Sequence, residues 1–385
     1  MKTAARWGLA AYLVLRIIAS VAAWYSDASV TPDSVVGVPG YEAPMLGGAA
    51  GTLFGVWLRA DALWYLKIST QGYGPEVGTF AFFPLFPLFV AIVRPLFGGG
   101  ELYAALFVAN AFAAGGLILF FLLARQILDD AGARAATFGL ALFPTSFFLV
   151  APYAESLLLA FGSASLLFAL RGKRGAAAVA GGLAALTRPF GALLFLPLTW
   201  ISLKRSPPGK SKLAAVLPAI APLVTLGGWL VFTAFQTGEP WLAFRVQSLW
   251  QREPSVFLVT LIESAIAWWE LRATSFGPYL FFDLLVVVAF LGMIFFTHLV
   301  VGRDKSLRES RWGFTAYPLA ILFVALSFRF GPRPLLSVPR FVLAGFTAFL
   351  GLGILPAWTR IPLALLSGGA MAVAAALYVG ARPIF

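Results

Sequence analysis

The chain has 385 residues, of which 60% are hydrophobic and only 11% are charged. A soluble domain carries about 25% charged residues, so lipid must be the solvent for much of this surface. The 28 Lys and Arg against 16 Asp and Glu fall in short clusters between apolar runs, which is the pattern of cytoplasmic loops and excludes nucleic acid as the partner.

Residues 1–6, with Lys2 and Arg6, precede an apolar run ending at Tyr25. No small-residue cleavage site follows and more apolar runs come later, so the start reads as a retained signal anchor. Apolar stretches and basic breaks predict about eleven spans. They lie near residues 7–25, 102–124, 135–150, 156–170, 175–187, 189–203, 213–235, 277–301, 313–328, 341–356 and 361–380. Several are shorter than the roughly 20 residues that cross alone. The expected fold class is all-α, a polytopic bundle forming one unit over residues 1–385, since no polar segment is long enough to fold separately.

Segment 80–97 is apolar enough to cross, but crossing would turn the basic clusters at 171–174, 204–212 and 303–311 outward. Left uncrossed, it lets all of them join Lys2 and Arg6 in the cytoplasm, as the positive-inside rule favours. Pro84, Pro87 and Pro95 also oppose a regular crossing helix. The segment is therefore expected along the outer membrane face as helix and turns. Two long segments then lie outside, 26–101 and 236–276, with shorter outward turns at 151–156, 187–189 and 329–340. The absence of an obvious internal repeat weighs against an inverted-repeat transporter.

Under this topology twelve basic residues lie off the cytoplasmic loops, and eleven of them are arginine, including Arg59, Arg188, Arg245, Arg252 and Arg340. Arginine grips phosphate with a planar fork of donors, whereas lysine is a point charge. Arg188, between two apolar runs at Pro189, needs a polar cavity, an anion or a partner such as Glu155.

Asp61 sits in a run where Trp57, Trp64 and Tyr65 alternate with Arg59 and Lys67, as in a short interfacial helix. A carboxylate beside an apolar wall can serve as a base; pairing with a neighbouring arginine is the structural alternative. Glu155 opens a span after Pro152 and Tyr153, either lining a site or capping the helix with Ser156. Asp283 is mid-span and is expected to pair across the bundle. With no cysteine and one histidine, no metal-binding set and no cofactor motif is legible.

Taken together, these residues resemble a known family. Arg59-Ala-Asp61-Ala-Leu-Trp-Tyr65, with Gly72-Tyr73 and Ala81-Phe-Phe-Pro84-Leu-Phe-Pro87 behind it, resembles the first-loop signature of PIG-V-type mannosyltransferases. These belong to the GPI-mannosyltransferase branch of the GT-C glycosyltransferases. Ala151-Pro-Tyr-Ala-Glu155-Ser156, Ala185-Leu-Thr-Arg188, Gln247-Ser-Leu-Trp250-Gln-Arg252 and Ser337-Val-Pro-Arg340-Phe341 are similar to further pieces, in the expected order. The resemblance implies a GT-C-type bundle that transfers a sugar, most simply mannose, from a polyprenyl-phosphate-linked donor on the extracytoplasmic side with inversion. It implies Asp61 as base, with Arg188 and Arg340 at the donor phosphate and Arg245 and Arg252 behind them. Arg59, Trp64, Tyr65, Tyr153 and Glu155 would line the substrate site. The acceptor would be a lipid, glycan or protein hydroxyl. Alanine- and arginine-rich composition with short loops fits a plasma-membrane protein of a prokaryote, where GPI is not the acceptor. A transporter or flippase of lipid-linked sugars is the alternative, and it would rely on mid-membrane charges such as Asp283.

Overall fold

The computed structural model describes residues 2–29, 37–44, 46–74, 77–204, 216–303 and 307–380. Arg205, Lys210, Lys212, Lys305 and Arg382, with the first residues of the expected 213–235 span, lie outside them. Among the described residues the long first helix α1 (Lys2–Ser29) is followed by α2 (Asp61–Gln71) and α3 (Leu85–Val93). Next come α4 (Glu101–Ala124), α5 (Asp130–Ala141), α6 (Glu155–Leu170), α7 (Arg174–Ala185), α8 (Phe195–Lys204) and α9 (Ala221–Thr237). The chain ends with α10 (Phe257–Leu271), α11 (Gly277–Arg303), α12 (Arg311–Leu326), a tightly wound stretch Val342–Ile354, and α13 (Ala357–Val379).

Every expected span contains helix. Among the described residues five stretches are long and apolar enough to cross a membrane: Lys2–Ser26, Glu101–Ala124, Leu217–Thr237, Gly277–Arg303 and Ala357–Val379. This is a multi-pass helical membrane protein. On α1 the exposed Leu13, Ile17, Val21 and Trp24 stand opposite the buried Ala11, Leu15, Ala19 and Ala23, which puts one apolar face to lipid and one to protein. A Cβ at Gly8 would stand 2.6 Å from Ile118, so the small residue lets α1 lie directly on α4.

Segment 80–97 forms a tight turn (Val77–Ala81), α3, and a second tight turn (Arg94–Phe97), with Pro84 and Pro95 at the breaks. The helix-and-turn shape expected of it is present. Two elements were not foreseen. Residues 257–271, inside the long segment 236–276, form α10, whose Leu258, Ile262, Ile266 and Trp269 are exposed. Its 15 residues fall short of a span and carry Glu263 and Glu270, which hid it among loop residues. The all-α expectation also meets a small exception, an antiparallel ribbon in which β1 (Arg252–Pro254) pairs with β2 (Phe328–Phe330), Arg252 opposite Phe330.

In the late half, Pro318 inside α12 cannot donate to the carbonyl of Phe314. The Thr347 hydroxyl donates to that carbonyl instead, at 2.9 Å. Thr297 of α11 likewise donates to Ala348 O at 2.8 Å and accepts from Gly351 N at 2.9 Å. Irregular backbone at membrane depth is tolerated where protein groups satisfy it in this way. The wound stretch before α13 is thereby held rigid, directly behind Arg340.

Candidate active site

Stretches distant in sequence converge on one cavity of about 570 Å³. Asp61, Trp64, Tyr65, Tyr153, Arg188, Arg252 and Arg340 all line it. Asp61 is the first residue of α2 and Glu155 the first residue of α6, so each carboxylate sits where the helix dipole favours negative charge. Ala60, just before Asp61, has φ 47° and ψ −121°, a conformation that glycine adopts freely and that costs other residues about 1–3 kcal/mol. The Ala62 N–H closes this turn on the Arg59 carbonyl at 3.1 Å.

Arg340 is the hub. Its Nη1 donates to Asp61 Oδ2 at 2.6 Å and its Nε to Glu155 Oε1 at 2.5 Å. Arg188 donates to the same Glu155 oxygen. The Arg340 guanidinium also lies 4.4 Å from the Tyr153 ring centre and 4.9 Å from that of Phe148. The structural alternative for Arg188, pairing with Glu155, is present; Asp61 also pairs with an arginine, but with the distant Arg340 and not with a sequence neighbour. The wall beside Asp61 is cationic as well as apolar. No side chain caps α6 at Ala154; Glu155 binds the two arginines instead.

Arg188 reaches the site from an extended turn before Pro189. Gly191 allows that turn to lie against the end of α7, because a Cβ there would collide with the Ala184 carbonyl. Arg252, at the start of β1, places its guanidinium 4.5 Å from the Phe341 ring centre, with Arg188 5.5 Å from the same ring. Burial pulls Arg252 down to about 10, an effect opposed by the Asp61 charge, so it stays cationic at neutral pH. Among the described residues no carboxylate pairs with it. Three guanidinium groups therefore face two carboxylates, which leaves a positive site suited to an anion. Tyr65 lies deep in the wall, and burial raises its hydroxyl well above the ordinary tyrosine range.

Other expected site residues fall elsewhere. Arg245 is exposed and pairs with Glu239 at 2.7 Å, outside the cavity. Glu155 is buried behind the arginines and does not line the cavity. Arg59 does not line it either; its Nε donates to the Val379 carbonyl at 3.3 Å. Asp283 pairs across the bundle as expected, taking both Arg333 Nε and Nη2 at 2.6 Å. Phe148 and Tyr378 are among the lining residues that were missed. Tyr378 has one weak signal in sequence, a hydroxyl near the end of the last apolar run.

The family profile described as Mannosyltransferase (PIG-V) matches residues 36–195. The match holds Asp61, Tyr153, Glu155 and Arg188, while Arg252 and Arg340 lie beyond it. No curated protein matches the sequence. Among solved structures, ArnT from Cupriavidus metallidurans in the apo state superposes with a TM-score of 0.50 at 20% identity, over 91% of this chain and 61% of that one. The same protein bound to undecaprenyl phosphate gives a TM-score of 0.50 at 16% identity, over 96% and 75%. The chain thus spans 61% of the apo ArnT chain and shares its fold.

Proposed function

We propose that this protein transfers mannose from a polyprenyl-phosphate-linked donor to an acceptor hydroxyl on the extracytoplasmic face, with inversion. Asp61 takes the hydroxyl proton on Oδ1, the oxygen not engaged by Arg340. The acceptor oxygen attacks the anomeric carbon as the bond from that carbon to the phosphate oxygen breaks. Polyprenyl phosphate leaves with the developing charge facing Arg188, Arg252 and Arg340, and fixed donors are most effective where charge develops. The observation that carries the reading is Asp61 in one cavity with three guanidinium groups, one of which has no carboxylate partner among the described residues. The bilayer would hold the polyprenyl chain while its phosphate reaches these arginines. The accompanying topology is about eleven spans with the N-terminus in the cytoplasm of a prokaryote, as the distribution of Lys and Arg favours.

The acceptor belongs to a lipid, glycan or protein. The transporter reading is less well supported, because its expected mid-bundle carboxylate, Asp283, is neutralised by Arg333. Full-length protein reconstituted with polyprenyl-phosphate mannose should release free polyprenyl phosphate, which a transporter would not. Asp61→Asn should lower that release by about 10²–10⁴ with the fold retained; full activity in this variant would sink the assignment.

A further inference from the structure

The carbonyl of Arg59 is unusually crowded with donors. Besides the Ala62 N–H, the hydroxyls of Tyr153 and Tyr378 stand 3.1 and 3.2 Å from it, and 2.9 Å from each other. Each hydroxyl has one proton, so at any instant both donate to the carbonyl or one donates through the other. Either way the oxygen keeps a hydroxyl donor. The two tyrosines are 225 residues apart in sequence, Tyr153 just before α6 and Tyr378 at the end of α13. The adjacent Val379 carbonyl accepts from the Arg59 side chain, so the end of α13 grips this residue by backbone and side chain. Both rings are packed independently of their hydroxyls: Phe148 lies 5.0 Å from Tyr153, and Phe147 lies 5.3 Å from Tyr378. What the carbonyl belongs to matters most. It opens the strained turn at Ala60 that delivers Asp61 to the cavity. A strained turn persists only when its surroundings hold it.

We infer that the Tyr153 and Tyr378 hydroxyls are a positioning clamp on the Arg59 carbonyl that fixes the turn presenting Asp61. Neither hydroxyl exchanges a proton with substrate in this role. The inference rests on Asp61 being the base, but the clamp itself is measurable without any transfer reaction.

The test is Tyr153→Phe combined with Tyr378→Phe in the full chain, reconstituted in lipid with polyprenyl-phosphate mannose. Phenylalanine keeps the ring packing and removes only the hydroxyls. Amide exchange over residues 58–66 should rise about tenfold while α4 is unchanged. Transfer should show kcat lowered about 10–100-fold with the donor KM within about twofold, because a misplaced base loses rate and not binding. Rescue of kcat on restoring either tyrosine alone is the third expected sign. Unchanged exchange over 58–66 would overturn the clamp, as would kcat, KM and melting temperature falling together. If exchange responds and even the parent protein releases no polyprenyl phosphate, the assignment of Asp61 fails and the clamp stands.

Discussion

At the scale of single residues, the candidate site is a charge problem solved by geometry. A buried arginine with one carboxylate is a structural device; Arg340 has two, and it bridges the first residues of two helices. Removing such a hub would strip Asp61 of its arginine donor and leave Glu155 with Arg188 alone, so Arg340→Ala tests stability more than chemistry. Arg252 is the cleaner probe, because no carboxylate among the described residues depends on it. Arg252→Ala should raise the donor KM about 10–100-fold, the worth of a hydrogen bond to a charged group, with melting temperature unchanged; steady-state release of polyprenyl phosphate measures it. Arg252→Lys should recover only part of the loss, since the ammonium lacks the planar fork and stacks less well on Phe341. An unaltered KM in both variants would remove Arg252 from the donor site.

At the scale of elements, the loop that carries Arg340 is anchored from two sides. Arg333 is buried and held bidentately by Asp283 of α11, and Arg329 in β2 bonds Glu263 of α10 at 2.6 Å and Glu253 of β1 at 3.2 Å. Breaking the buried pair on one side leaves an uncompensated charge. Arg333→Met should therefore cost about 3–5 kcal/mol, whereas Arg333→Met with Asp283→Leu should recover most of that loss. Thermal unfolding in detergent distinguishes the two, and equal melting temperatures would show that the pair does not anchor the loop. The pairing of Asp283 was legible as a need, because a mid-span carboxylate demands a partner. Its partner was not, since Arg333 lies in a different turn and nothing local links the two. α10 escaped notice for a related reason: below spanning length, an amphipathic stretch looks the same in sequence whether it lies on lipid, on protein or in a loop.

At the scale of the whole molecule, orientation follows from segment 80–97. The sequence contains no cysteine, so each introduced thiol is the sole target of a membrane-impermeant maleimide. With 80–97 lying on the outer face, Gly47→Cys should label from outside and Lys173→Cys only after the membrane is opened. Labelling of both from the same side would mean that the segment crosses and every later loop inverts.

Composition and the spacing of basic clusters were enough to establish a helical membrane protein and the helical content of every span, because lipid forces backbone hydrogen bonds into local helices. Local motifs were enough to pick out Asp61, Arg188, Arg252 and Arg340. Only the tertiary structure decided which of them meet. Arg340 reaches Asp61 across 279 positions of sequence, whereas Arg245, a near neighbour of Arg252, turns away to Glu239. Helical periodicity is a property of a few consecutive residues, but an ion pair across a bundle depends on how whole helices pack. The same holds for Tyr153 and Tyr378, whose hydroxyls find one carbonyl only because the start of α6 and the end of α13 both meet the turn at Ala60.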